Sequence, residues 1–234
     1  RRLSVGPLSD PSERAVVLDE LPFNGRSQGT ITVIPGGDGR ILYDTSGRRD
    51  GEQLARGSGT LWLLASPSAD PLPYATGFKH AYAHTVGPDD RLWVTEMSDG
   101  RLDGDVPPDE LVEVELGDDF GYPRCVGDRT PVAELGAVAV DCDGTPRSHA
   151  VFPSGATPTS VVVAPWDPSV LLVALWNRGE IVAVPVDDEG RPHAGEVVVG
   201  EVARPQHLLV DGDRVLVTDH GTGRILAIAP RSPG

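Results

Sequence analysis

The sequence predicts an all-β chain folded as a β-propeller, and three observations carry that prediction. Short β-rich runs recur along the 234 residues, bounded by Gly, Pro and Asp turns, while helical periodicity is nearly absent. One phrase (strand, tight acidic turn, strand, short loop, strand) is read four times. Its repeat of about 40–50 residues is the signature of propeller blades. So small a sheet cannot cover both of its faces, and radial packing of each against the next buries them. A β-sandwich is the competing architecture, and the recurring turn phrase argues against it.

The strands follow in order. Residues 2–5 and 14–18 read as outer strands of an early blade. Residues 30–34 lead through Gly36-Gly37-Asp38-Gly39 to 40–43, followed by 59–64. Residues 81–86 lead through Gly87-Pro88-Asp89-Asp90 to 91–95, followed by 110–116. Residues 160–163 lead through Pro165-Trp166-Asp167-Pro168 to 170–174, followed by 179–184. Residues 207–210 lead through Asp211-Gly212-Asp213 to 214–218, followed by 223–228. The expectation is one propeller domain over residues 1–234, with about four blades and a partial one. The chain is expected to begin mid-blade, to lack the first blades and to stop one strand short of its last. Residues 98–154 read as a loop insertion between the second and third phrases, carrying both cysteines.

Composition narrows the function. Apolar residues are 39% and charged residues 24%, a globular balance. With 35 acids against 20 bases and a net charge of −15, nucleic acid and anionic membrane are poor partners. No apolar run approaches the roughly 20 residues of a membrane-spanning helix, and the chain opens Arg1-Arg2-Leu3 with no leader pattern. Cys125 and Cys142 are the only cysteines. Both stand in polar, loop-like sequence, which favours a disulfide over two buried thiols. A disulfide would place the chain in an oxidising compartment: extracellular, periplasmic or at the cell surface.

In a propeller the loops before each innermost strand and after each second strand gather around the axis on one face. The lead-in loops supply Arg26, Ser27 and Gln28; Lys79 and His80; Thr157 and Pro158; and Arg204, Gln206 and His207. The lead-out loops supply Asp44; Glu96 and Ser98; Trp176, Asn177 and Arg178; and Asp219 and His220. Cations and imidazoles gathered on an acidic protein suit an anionic ligand, such as a carboxylate cofactor or sugar acid. The competing reading is that each Arg bonds loop carbonyls or a neighbouring Asp. His80, His207 and His220 have no metal-ligand spacing. The acid-rich stretch 98–105, with Asp109 and Glu110, could give oxygen ligands to calcium, but it lacks the EF-hand pattern and reads equally as a solvated loop. No GxSxG, HExxH or P-loop occurs.

Several phrases together resemble the glucose/sorbosone dehydrogenase family. They are Pro107-Pro108-Asp109-Glu110-Leu111, Gly117-Asp118-Asp119-Phe120-Gly121-Tyr122-Pro123-Arg124-Cys125, residues 87–95, Trp176-Asn177-Arg178 and Ala203-Arg204-Pro205. The resemblance spans nearly the whole chain and the later part of the family domain. It implies a six-bladed propeller, the cofactor pyrroloquinoline quinone (PQQ), calcium, and oxidation of an aldose or related sugar hydroxyl. The family's base is a histidine in a His-x-Gly-Gly phrase. Here that phrase reads Arg26-Ser27-Gln28-Gly29, and arginine stays protonated. The family's Arg-Asn pair reads Lys79-His80, and the phrase giving carbonyls to calcium reads Met97-Ser98-Asp99. His80 is therefore the expected replacement base, with Lys79 and Arg26 beside it. Arg204, Arg178, Asn177 and Gln206 are the expected cofactor contacts. Two alternatives stay open: a propeller that has lost the chemistry and binds a ligand or partner protein, and a lactonase-type hydrolase with a metal-held water near Glu96 and Asn177.

Overall fold

Each β-rich run of the sequence becomes a strand in the computed structural model, which describes residues 2–10, 12–21, 29–34, 39–98, 106–132, 141–187, 190 and 192–230. Strands β1 (Leu3–Val5) and β2 (Ala15–Leu18) pair as an antiparallel ribbon. The first blade opens with β3 (Ile31–Val33) and β4 (Ile41–Thr45). A small hairpin, β5 (Arg49–Asp50) and β6 (Gln53–Leu54), precedes its outer strands β7 (Thr60–Leu64) and β8 (Leu72–Ala75). The second blade comprises β9 (Ala81–Val86), β10 (Leu92–Glu96) and β11 (Asp109–Val114). After the short hairpin β12 (Cys125–Val126) and β13 (Thr130–Pro131), it ends with β14 (Ser148–Phe152). The third is β15 (Pro158–Ala164), β16 (Asp167–Leu175), β17 (Glu180–Pro185) and β18 (Glu196–Val199). The fourth is β19 (Pro205–Asp211), β20 (Arg214–Asp219) and β21 (Arg224–Ile228). All pairings between these named strands are antiparallel.

The core lies between the blades, as radial packing requires. Leu42 and Leu61 of the first blade meet Leu92, Val94 and Val112 of the second. Trp93, Leu111 and Phe152 of the second meet Val161, Leu171 and Val173 of the third. Leu172 and Ile181 of the third meet Leu208, Val215 and Val217 of the fourth. Strand β10 shows the cause: side chains alternate across a strand, so Leu92 and Val94 face one neighbour and Trp93 the other. Each such side chain contributes about 1.5–3 kcal/mol on burial.

The outer strands β8, β14 and β18 were not read from the sequence. Their apolar alternation is short, since only one of their edges is paired. Within residues 98–154, β11 and β14 belong to the second blade's sheet, with Leu111 opposite Ala150. The loop there is therefore two loops, one on each side of β11. The second loop is closed by a disulfide between Cys125 and Cys142, 17 residues apart.

A loop of that size gives the cross-link about 3 kcal/mol in the chain-entropy picture. Replacing both cysteines by Ser should lower the urea unfolding free energy by about that amount, with extra amide exchange confined to the segment around the hairpin of β12 and β13.

Candidate functional site

A lead-in loop and a lead-out loop of one blade must lie side by side at the axial face, and in three blades an acid joins them. Asp44, in β4, accepts the Gly29 N–H at 2.8 Å. Glu96, the last residue of β10, accepts the Lys79 N–H at 2.6 Å. Asp219, the last residue of β20, accepts the Arg204 N–H at 2.8 Å. The third blade borrows its acid: Asp109 accepts the Ser98 N–H and the Thr157 N–H, each at 2.7 Å. The approach is close enough that a Cβ on Gly29 would overlap the Asp44 carboxylate and the Tyr82 carbonyl.

Burial sets the charge of these acids. Asp44 is pushed up to about 8 by burial, which the Gly29 hydrogen bond offsets only in part. Its Oδ2 has no hydrogen-bond partner among the described residues and lies 3.7 Å from His80 Nδ1. Glu96 is raised by burial and then by the charge of Glu110, its opposite number in the β10–β11 register. Glu110 is also raised by burial, against the Ser148 hydroxyl that bonds it. Asp219 goes the other way, held low by the Thr222 hydroxyl and by backbone N–H groups.

The expected site residues form two linked groups. In the first, His80 is 6% exposed, its Nδ1 2.8 Å from Ser46 Oγ and its ring edge-on to Tyr82 at 5.3 Å. The Tyr82 hydroxyl accepts from Gln206 Nε2 at 3.1 Å, joining the second and fourth blades. In the second, Arg204 Nη1 donates to Asn177 Oδ1 at 2.8 Å, and Asn177 Nδ2 donates to Thr157 Oγ1 at 2.8 Å. The Arg204 guanidinium lies 5.7 Å from the Trp176 ring, and Trp176 is 5.1 Å from His220. Arg204 and Gln206 share one lead-in loop, so the two groups meet there.

Other expected residues are placed differently. Lys79 Nζ donates to the Gly47 carbonyl at 3.4 Å and lies 5.6 Å from the Tyr122 ring. Arg178 pairs with Glu180 of its own hairpin at 3.4 Å. Arg26, Ser27, Gln28 and residues 99–105 lie outside the described residues. Among the described residues no group of three or more His, Cys, Asp or Glu is arranged to hold a metal ion. Asp109 and Glu110, expected near calcium, are engaged by backbone N–H groups and by Ser148. Sequence reasoning missed Ser46, Tyr82 and Tyr122. No local pattern marks them, because their partners lie 34, 124 and 43 residues away in the chain.

No family model and no curated protein matches the chain. Solved structures do match in fold. The PQQ-bound aldose sugar dehydrogenase of Streptomyces coelicolor is 18% identical, aligns over 97% of this chain and 70% of its own, and superimposes with a TM-score of 0.71. The apo form of the soluble aldose sugar dehydrogenase of Escherichia coli is 15% identical over 98% of this chain and 74% of its own, with a TM-score of 0.73. A chain of a nidogen/laminin complex is 12% identical over 93% of this chain and 64% of its own, with a TM-score of 0.55. The fold is thus that of the propeller sugar dehydrogenases, which the sequence resemblance had pointed to. Among the described residues no helix is long and apolar enough to cross a membrane.

The buried groups give a pH signature. Asp44 rises from 3.8 to about 8 on folding, so its contribution to stability is full below pH 4 and is lost as pH rises toward 8. His84 is pushed down by burial from 6.5 to about 4, so its contribution is full above pH 6.5 and is lost as pH falls toward 4. Asp44→Asn, which keeps an acceptor for Gly29, should reduce the loss between pH 4 and 8 in urea melts and leave the part that Glu96 and Glu110 carry. An unchanged slope would remove Asp44 as its source.

Proposed function

We propose that this face binds PQQ and that the chain uses it to oxidise the hydroxyl of an aldose or related sugar. The observation that carries the reading is the Arg204 guanidinium, whose side-chain partner is the neutral amide of Asn177 and which stands beside the Trp176 ring. Among the described residues no carboxylate is paired with it, whereas Arg178 has Glu180. PQQ is a planar polycarboxylate, and the donor set fits it. Arg204, Asn177 and Gln206 would hold its carboxylates, and Trp176 offers a flat apolar surface. The fold shared with a PQQ-bound sugar dehydrogenase supports the assignment.

When bound, PQQ supplies the hydride acceptor. The chain supplies the rest. His80 is the group that would take the hydroxyl proton, since a neutral imidazole carries an acceptor nitrogen. Ser46, 2.8 Å from its Nδ1, orients the ring. The Asp44 carboxyl, 3.7 Å away, is kept largely protonated by burial and so packs against the ring as a neutral group. The disulfide suits an oxidising compartment, so a periplasmic or extracellular site of action goes with this reading.

A second reading is a propeller that binds a partner without chemistry. The specific observation in its favour is the burial of His80, at 6% exposure, which also suits a purely structural histidine. The nidogen/laminin likeness shows that the fold is not confined to dehydrogenases.

Titration with PQQ, followed by dye reduction with a panel of aldoses, separates the two. The first reading expects saturable binding and sugar-dependent reduction. Arg204→Ala should raise the Kd roughly 10- to 100-fold, the cost of a charged hydrogen bond. His80→Gln should lower kcat roughly 100- to 10,000-fold with binding retained. Absence of binding by the wild-type chain would leave the second reading; turnover unchanged in His80→Gln would make His80 a scaffold residue.

A further inference from the structure

Thr157 stands in a backbone conformation that its own side chain opposes. Its φ is +61°, and among the described residues it is the β-branched one of five non-glycine residues with positive φ. A branched Cβ crowds the backbone there, so the neighbouring chain must hold the residue in place. Every polar group of Thr157 is held. Its N–H donates to Asp109 Oδ2 at 2.7 Å, and its carbonyl accepts the Trp176 N–H at 2.9 Å. Its hydroxyl donates to the Gly155 carbonyl at 3.3 Å and accepts from Asn177 Nδ2 at 2.8 Å.

The last of these bonds decides how Asn177 is turned. Its Nδ2 donates both to the Thr157 hydroxyl and to the Gly155 carbonyl, the latter at 3.0 Å. Its backbone N–H is fixed as well, to the Ala156 carbonyl at 3.1 Å. The amide oxygen is thereby turned to Arg204, whose Nη1 donates to it at 2.8 Å. The opposite turn would set an NH2 group against a guanidinium, and neither can accept. The backbone of Arg204 is fixed by Asp219 and by the His220 N–H. Asn177, with the Trp176 ring at 5.7 Å, fixes its far end. An arginine otherwise moves through many rotamers, and holding its planar fork in advance lowers the entropy lost when a carboxylate binds.

We propose that Thr157 is a positioning residue: its strained backbone and its hydroxyl orient the Asn177 amide, and through it the Arg204 guanidinium, for a carboxylate ligand. The proposal rests on the reading of the axial face as a PQQ site, and one arm of its test needs no ligand. In the full chain, the guanidinium NMR signals of Arg204 are assigned by their absence from Arg204→Lys. A hydrogen-bonded guanidinium turns slowly, so the wild-type chain should show resolved Nη protons for Arg204. Thr157→Ser, which keeps the hydroxyl, should retain them. Thr157→Val, which keeps the shape and loses the hydroxyl, should merge them into the signal of a free arginine. Absence of the resolved signals in the wild-type chain, or their survival in Thr157→Val, overturns the proposal. In the ligand arm, the Kd for PQQ should rise roughly three- to tenfold in Thr157→Val and stay near the wild-type value in Thr157→Ser. Thr157→Gly should unfold at a higher temperature than Thr157→Val, because glycine accepts the positive φ, yet bind PQQ no better. Thr157→Val should have no further effect in an Asn177→Ala background. Equal weakening in Thr157→Ser and Thr157→Val, wild-type affinity in Thr157→Gly, or the same weakening without Asn177, overturns the proposal. A wild-type chain with the resolved signals but no affinity for PQQ would overturn the reading of the face instead, and the ligand half of the proposal with it.

Discussion

The axial face depends on carboxylates that close the gap between loops of neighbouring strands. Antiparallel pairing holds β4, β10 and β20 beside their innermost strands, but the pairing ends where the chain turns onto the face. A backbone N–H left there without a partner would be costly. Asp44, Glu96 and Asp219 supply the missing acceptor. The N–H groups they bind belong to Gly29, Lys79 and Arg204, so two of the three clamps fix a candidate ligand-binding residue directly. Asp109 extends the device from one blade to the next and ties Thr157, and through it Asn177, to the second blade.

This makes clear which parts of the molecule were legible in the sequence. The inner three strands of each blade were, because each is a short apolar run next to a turn that only Gly, Asp or Pro fills well, as at Asp90 and Gly212 with positive φ. The contact of Arg204 with Asn177, between a lead-in loop and a lead-out loop, is one that the topology let the sequence suggest. What the sequence hid were relations between distant segments. The hydrogen bond from Gln206 to Tyr82 spans 124 residues. Strand β14 lies in a stretch dense with Gly, Asp and Pro, and only its register against β11 shows it to be part of a blade. The acids at the strand ends were visible as residues but not as clamps, since an Asp after a strand reads equally as a turn, a metal ligand or a catalytic group.

The burial of these clamps also decides the charge of the face, and here the formal count misleads. The chain carries a net charge of −15, yet the acids nearest the axis do not present that charge to a ligand. Asp44, raised to about 8, is largely protonated at neutral pH, and Glu96 and Glu110 resist ionising together. Asp219 stays ionised, but its oxygens are turned onto backbone N–H groups and the Thr222 hydroxyl. Arg178 is cancelled by Glu180. Among the described residues the Arg204 guanidinium is set beside a neutral amide and an aromatic ring. A strongly acidic protein can thereby keep a guanidinium among neutral groups at these loops. The fields of the surrounding acids are screened over about 10 Å, so a small anion at contact distance would meet the charge of that guanidinium with little opposition from them.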